Sequence, residues 1–208
     1  MIRVIIVDDH PIVRRGLKQI IAAEQDMQVV GDAESAREAI SVIRHTPCDA
    51  VVLDITLPDA SGLDVLSRLK SERPTLPVLI MSIHDEEQYA LRVLKSGASG
   101  YLMKNSIPEE LIQAIRKIAS GGKYISPSLA ERLASELASP ETPLHEKLSA
   151  REFQIMRLIA SGKSLKEIGE ALCISGKTVS SHRARILEKM KMSTNADLIR
   201  YALEHHLI

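Results

Sequence analysis

With 208 residues, 45% of them hydrophobic and 26% charged, the chain has core material for two ordinary domains and an ordinary polar surface. Lys and Arg number 27 and Asp and Glu 27, so no net charge singles out a nucleic acid or a membrane as partner. Cys48 and Cys173 lack any Cys-x-x-Cys companion, which excludes a disulfide scaffold and a zinc ribbon, and 2% aromatics without Trp argue against a stacking platform for single strands. No apolar run approaches the roughly 20 residues that span a bilayer. The apolar run 2–7 ends in Asp8-Asp9, too short and wrongly flanked for a signal peptide. A soluble cytoplasmic protein with no membrane partner is expected.

The first 120 residues alternate apolar runs with amphipathic ones. Residues 2–7 predict a strand, 11–23 a helix, 27–33 a strand, 35–45 a helix and 50–54 a strand. The alternation continues with a helix at 63–72, a strand at 77–82, a helix at 86–96, a strand at 100–103 and a helix at 108–120. Near-continuous apolar strands such as Val51-Val52-Leu53 imply burial on both faces, hence a parallel sheet between two helix layers. After Gly121-Gly122 the strand signal disappears. Residues 127–138 predict one amphipathic helix, and 139–146, with two prolines, read as linker. From 147 the pattern is purely helical. Ser149-x-x-Glu152, Ser164-x-x-Glu167 and Thr194-x-x-Asp197 resemble capping boxes, and Ser175 caps a further helix running to about Met190. The expected organisation is therefore an α/β domain at 1–122, a connecting segment at 123–146 and a four-helix, all-α module at 147–208.

Charge is divided unevenly. Residues 1–130 hold 15 Lys and Arg against 17 Asp and Glu, and residues 131–208 hold 12 against 10. In an open parallel sheet, ligands bind beyond the carboxyl ends of the strands. Asp8 and Asp9 end the first strand, Asp54 the third and Ser82 the fourth, and Lys104 follows the fifth. Three converging carboxylates repel unless a cation joins them, and a hard, oxygen-preferring ion such as Mg²⁺ suits that set. Asp54 is then placed as nucleophile toward a phosphoryl group, with the ion and Lys104 neutralising its oxygens and the Ser82 hydroxyl beside them. No G-x-x-x-x-G-K-[ST] loop, G-x-G-x-x-G turn or H-E-x-x-H pair competes with this reading.

In the basic module, Val179, Ile186, Leu187 and Met190 share one stripe, expected to pack on Ile155, Leu158, Ile159, Ile168 and Leu172. Lys177, Ser181, Ala184, Arg185 and Glu188 lie opposite, with Ser180 beside them and Thr178, His182 and Lys189 flanking. Short polar residues and cations on one helix face suit a DNA major groove: short side chains admit the backbone, and long cations reach guanine edges or phosphates. Lys177, Thr178, Ser180, Ser181, Ala184, Arg185 and Lys189 are the expected contacts, with Arg185 either a phosphate clamp or a guanine reader. A solvated basic face is the plain alternative. Arg183 has no clear side, and His182 fits a packed or capping role better than a DNA contact.

Two resemblances bear on these readings. Asp8-Asp9, Asp54 in Val-Leu-Asp-Ile-Thr-Leu-Pro-Asp-Ala-Ser-Gly, Ser82, Tyr101 and Lys104 resemble the receiver domain of two-component response regulators, over roughly residues 1–120. The resemblance implies a flavodoxin-like fold of strand order 2-1-3-4-5 and Asp54 as acceptor of phosphate from a sensor histidine kinase. It also implies Mg²⁺ held by Asp9, Asp54 and the Thr56 backbone carbonyl, with Asp8 acting mostly through water. Ser82 and Tyr101 match the pair that rearranges on phosphorylation. Where many receivers carry Pro after the lysine, in a cis peptide, this chain has Asn105; a cis bond there costs about 2.5–4 kcal/mol.

Leu148-Ser-Ala-Arg-Glu152, Gly162-Lys-Ser-Leu-Lys-Glu-Ile-Gly169 and the run from Ile174 to Met190 are similar to the LuxR-type helix-turn-helix, over about residues 145–208. Together the two parts resemble the NarL/FixJ subfamily of response regulators. That implies a homodimer on double-stranded DNA, residues 175–190 as recognition helix, residues 194–205 in the dimer contact, and phosphorylation as the control, with a receiver able to mask the DNA-binding module. An aspartate-nucleophile phosphohydrolase is the enzymatic alternative, but it calls for a carboxylate two residues after the nucleophile, where Thr56 stands. The chain is therefore expected not to be an enzyme. A receiver with a protein-binding adaptor is the third reading, disfavoured by the basic face.

Overall fold

The computed structural model describes residues 1–82, 86–126, 130–131 and 143–208, and the chain divides into two compact units, Met1–Glu131 and Arg132–Ile208. The helix expected at 127–138 lies outside the described residues except for 130 and 131, which are helical, as does the linker before 143.

In the first unit the apolar runs become strands β1 (Ile2–Val7), β2 (Met27–Ala33), β3 (Ala50–Asp54), β4 (Val78–Ser82) and β5 (Gly100–Met103). They pair in parallel in the order β2-β1-β3-β4-β5, as the resemblance implied. β3 and β4 are buried along their whole length, because each is flanked by strands and covered on both faces. β4 starts at Val78 rather than 77: Pro77 has no amide proton for the ladder, although its carbonyl accepts the Val51 N–H at 3.0 Å.

Helices α1 (Pro11–Ala22), α2 (Ala36–His45), α3 (Gly62–Glu72), α4 (Glu86–Lys95) and α5 (Pro108–Ala119) alternate with the strands. Val4, Ile6, Val52 and Leu79 meet Leu17 and Ile21 of α1 and Leu111, Ile115 and Ile118 of α5 in one apolar cluster. The residues of opposite parity, Ile5, Val7, Val51 and Leu53, are equally buried on the other face of the sheet, the side where α2 and α3 pack on each other. Connections leave β1 and β3 in opposite directions, so a crevice opens beyond their carboxyl ends. The register Val7↔Leu53, Asp54↔Met81 and Ser82↔Met103 sets the ends of β1, β3, β4 and β5 side by side at that rim.

The second unit is helical among its described residues: a 3₁₀ turn (Leu144–Lys147), then α6 (Ala150–Ala160), α7 (Leu165–Ala171), α8 (Gly176–Lys189) and α9 (Asn195–Glu204). Each expected capping box carries both reciprocal bonds, from Ser149 and Glu152, Ser164 and Glu167, and Thr194 and Asp197. Ser175 Oγ accepts the Thr178 N–H at 3.0 Å and starts α8. Phe153, Ile155, Ile159, Ile168, Val179, Ile186, Met190 and Leu198 form the core, while Leu158 is only half-buried. At the turn between α7 and α8, a Cβ on Gly169 would stand 2.8 Å from the Ile174 carbonyl oxygen, so the two helices close on each other only over a glycine. Residues 144–146, read as linker from their neighbouring prolines, are instead tied down: the His145 ring packs against Phe153 and Tyr201, and its Nδ1 lies 2.9 Å from the Tyr201 hydroxyl.

Candidate functional site

Asp8 extends the β1–β2 ladder by donating its N–H to the Ala33 carbonyl at 3.1 Å. The chain then turns sharply into α1. The His10 N–H donates to Asp8 Oδ1 at 2.8 Å, and Pro11 opens the helix where its missing proton costs nothing. Beneath the turn, Arg14 donates from Nη1 to the Asp8 carbonyl at 2.7 Å and is itself held by Asp32 at 3.3 Å and Glu34 at 3.2 Å. Asp8 is thereby fixed at its side chain, its N–H and its carbonyl.

Asp54 ends β3, and both it and Asp8 are 2% exposed. Lys104 follows β5, its N–H bonded to the Ser82 carbonyl at 2.8 Å, and its ammonium lies 2.7 Å from Asp54 Oδ2 and 2.7 Å from Asp8 Oδ2. One cation thus bridges two buried carboxylates. Burial pushes the Asp54 carboxyl up from its ordinary range, and the neighbouring Asp8 adds to that, against the Lys104 ammonium and a Thr56 N–H. Burial works against the charge of Lys104, but its hydrogen bonds to Asp54 and Asp8 prevail and hold its pKa above the ordinary value.

The loop after Asp54 closes on itself: Thr56 bridges to Ser61, and the Gly62 N–H donates to the Ile55 carbonyl at 2.7 Å. A Cβ on Gly62 would fall 1.9 Å from the Asp54 carbonyl oxygen, so only glycine fits beneath that strand end. Asp59, in the same loop, accepts the Ala36 N–H at 2.7 Å and the Arg37 N–H at 3.0 Å, tying the loop to the start of α2. Ser82 and Tyr101 are both buried, Tyr101 completely. No cis peptide bond occurs among the described residues, the Lys104–Asn105 bond included.

Carboxylate oxygens of Asp8, Asp9 and Asp54 and a ring nitrogen of His10 all lie within 4.8 Å of one another. Asp9 Oδ1 is shielded from solvent and has no hydrogen bond. An enclosed carboxylate oxygen without a hydrogen bond, its close contact a histidine ring nitrogen at 2.6 Å, next to two buried carboxylates is an environment that a small hard cation suits, so the residues fit a divalent ion such as Mg²⁺.

In the helical unit, Val179, Ile186, Leu187 and Met190 face the core as expected, and Lys177, Thr178, Ser180, Ser181, Ala184 and Arg185 are exposed on α8. The Ser181 hydroxyl donates to the Lys177 carbonyl at 3.0 Å, leaving it an acceptor outward, and Thr178 Oγ1 pairs with the capping Ser175 hydroxyl at 2.8 Å. Lys189 turns back: its ammonium lies 2.6 Å from Glu152 Oε2 in the α6 capping box. Arg183, which periodicity left unassigned, donates from Nε to Asn195 Oδ1 at 2.6 Å and joins α8 to the start of α9. Sequence reasoning missed His10, Arg14 and Arg151. The last is buried, with Nη1 on Gln154 at 2.9 Å and Nη2 on the Leu172 carbonyl at 3.1 Å. The one signal for His10 and Arg14 was their spacing of one and five residues after Asp9.

Residues 4–116 match the family model described as response regulator receiver domain, and residues 146–202 that of bacterial regulatory proteins, luxR family. The chain is 34% identical over 211 residues to the response regulator GacA of Pseudomonas aeruginosa, covering 100% of this chain and 98% of that one. A two-component response regulator of the LuxR family from Aurantimonas sp. SI85-9A1, known by crystal structure, is 37% identical over 67% of this chain and 99% of its own, with a TM-score of 0.62. A structure of two RcsB dimers bound to two parallel DNAs is 25% identical over 96% of each chain, with a TM-score of 0.60.

Proposed function

The chain belongs to the response regulators, as a phosphorylation-controlled, DNA-binding regulator of transcription, and we propose that Asp54 is the residue that takes the phosphate. The observation that carries this is the Lys104 ammonium set 2.7 Å from both Asp54 and Asp8 at the rim of the sheet. An Asp54 oxygen attacks the phosphorus of a phosphohistidine on a sensor histidine kinase; the new O–P bond forms as the N–P bond breaks and the imidazole leaves. Asp8, Asp9, Asp54 and the Thr56 carbonyl would hold Mg²⁺, which when bound supplies positive charge against the phosphoryl oxygens. Lys104 meets the same oxygens by giving up one of its present carboxylates, and the Ser82 hydroxyl donates to the new phosphate. Tyr101, fully buried on β5, transmits the change to the α4–β5 side of the unit.

The output is promoter binding by a homodimer. Lys177, Thr178, Ser180, Ser181, Ala184 and Arg185 of α8 face the major groove, Lys189 stands at the end of the same face with its ammonium shared with Glu152, and α9 takes part in the dimer contact. Support comes from the exposed polar face of α8 and from the likeness to a protein known as dimers on DNA. Asp54 is spent once per phosphate, and Thr56 offers no carboxylate as general acid, so we read no turnover enzyme here. No described helix is long and apolar enough to cross a membrane. A partner set of promoter DNA and a phosphate-donating kinase domain belongs to the cytoplasm.

The test is incubation with a small phosphodonor and Mg²⁺, followed by peptide mapping. Label is expected on Asp54, lost in Asp54→Asn and suppressed in Asp9→Ala or by chelation. Undiminished label in Asp54→Asn, mapped to another residue, would overturn the assignment.

A further inference from the structure

We propose that His10 makes the acidic pocket a mixed nitrogen and oxygen metal site, which takes borderline divalent ions such as Co²⁺ or Zn²⁺ more tightly than three carboxylates would. The proposal rests on the reading of that pocket as an ion site and goes beyond it in adding a ligand.

His10 Nδ1 lies 2.6 Å from Asp9 Oδ1 and 3.2 Å from Asp8 Oδ1. The closer approach is an ion-pair contact in which Asp9 Oδ1 makes no hydrogen bond, and the longer one is within hydrogen-bonding range of Asp8 Oδ1. A ring nitrogen this close to two carboxylate oxygens is placed where one ion could take all three as neighbours in its coordination shell. For metal–ligand bonds of roughly 2.1 Å in an octahedron, adjacent ligands stand about 3 Å apart and opposite ones about 4.2 Å. The spacings of 2.6 and 3.2 Å fall either side of the adjacent-ligand value, and the whole set lies within 4.8 Å, so a small inward movement would close it on an ion.

The ring is also held ready. Its backbone is fixed by the N–H bond to Asp8 Oδ1, by Pro11 immediately after it, and by the Arg14 N–H on the His10 carbonyl at 3.0 Å. The ring itself is mostly exposed, 60% at the side chain, so an ion approaching from solvent meets it first. Oxygen donors serve Mg²⁺, Ca²⁺ and Mn²⁺ well, whereas an imidazole nitrogen favours Zn²⁺, Ni²⁺ and their neighbours. The ion bound in this pocket therefore depends on which divalent cation is at hand, and His10 sets the preference.

The full-length protein is titrated with Co²⁺, followed by its visible absorption, and separately with Mg²⁺ by calorimetry, as wild type, His10→Asn and Asp9→Ala. Asparagine replaces the nitrogen ligand by an oxygen. His10→Asn is expected to weaken Co²⁺ about tenfold and shift its absorption bands, while Mg²⁺ affinity changes less than about twofold. Asp9→Ala should weaken both ions. If His10→Asn leaves Co²⁺ affinity and spectrum unchanged, or weakens both ions by the same factor, His10 is only a hydrogen-bonding neighbour and the proposal fails while the ion site stands. If neither ion binds in an Asp9-dependent way, the reading of the pocket as an ion site fails, and the proposal with it.

Discussion

Gly62→Ala puts one methyl group where the structure leaves no room, and its consequence can be worked from the contacts. The new Cβ would lie 1.9 Å from the Asp54 carbonyl oxygen and 2.9 Å from both the Asp54 carbonyl carbon and the Ile55 Cα. All three are backbone, so no side chain can swing aside. Ordinary contact begins at 3.4 Å, so strand end and helix start must separate by about 1.5 Å. Overpacking of this kind costs about 1–3 kcal/mol, which a domain of ordinary stability survives. The displaced residue, however, is the one proposed to take the phosphate, and a misplacement near 1 Å costs about a hundredfold in rate. Gly62→Ala should therefore remain folded, melt lower, and accept label from a small phosphodonor about a hundred times more slowly. The control is built into the substitution. Gly62 is the first residue of α3, and in an open helical site alanine stabilises over glycine by up to about 1 kcal/mol. A variant that melts higher than wild type and labels at the wild-type rate would refute the argument.

Further expectations concern the helical unit, which the chain's one Phe, Phe153, reports when replaced by a fluorinated analogue and followed by ¹⁹F NMR. Gly169→Ala, with its Cβ 2.8 Å from the Ile174 carbonyl, should destabilise that unit by about 1–3 kcal/mol and weaken DNA binding; an unshifted unfolding midpoint would refute it. Burial opposes the charge of Glu152, but the Lys189 ammonium and the Ser149 bonds outweigh it and hold its carboxyl below the ordinary 4.5. A depressed folded pKa means stability that is present above pH 4.5 and lost as pH falls through the folded value. The unit should therefore loosen with acid, and Glu152→Gln should flatten that slope; an equally steep slope in the variant would refute this. On DNA, Lys177→Ala should lower the salt slope by about 0.9, while Lys189→Ala, whose ammonium pairs with Glu152, should lower stability and leave the slope nearly unchanged. Equal slopes for wild type and Lys177→Ala would remove Lys177 from the interface.

What was legible in the sequence followed from patterns that survive in one dimension. Val51-Val52-Leu53 announces a strand covered on both faces because burial on both sides removes the alternation. The capping boxes are equally local: donor and acceptor stand three residues apart, and Ser149, Ser164 and Thr194 each form the bonds their spacing predicts. The rim residues were legible for a related reason, since each polar residue closes an apolar run and parallel strands bring all such closings to one edge. Strand order was not legible from the runs themselves and came through the resemblance.

The remainder is contact between residues distant in the chain or dependent on a turn. Helical periodicity sets Lys189 at the flank of the polar face of α8, but periodicity tracks the Cβ, and a four-carbon side chain reaches back to Glu152, 37 residues earlier. His145 lay among prolines that marked a linker, and its partner Tyr201 is 56 residues away. Gly62 is one letter of a motif in the sequence, and its reason, the Asp54 carbonyl beneath it, exists only in the fold. His10 and Arg14 carry no signal in the sequence beyond their spacing from Asp9, because their roles depend on the turn through Asp8, Asp9 and Pro11, which points one ring at the carboxylates and one guanidinium at the Asp8 carbonyl. The carboxylates are thus set by strand ends, whereas the groups that orient them sit on the first helical turn. Substitution at Asp9 or Asp54 should therefore remove function outright, and substitution at His10, Arg14 or Gly62 should change how well and with which ion the site performs it.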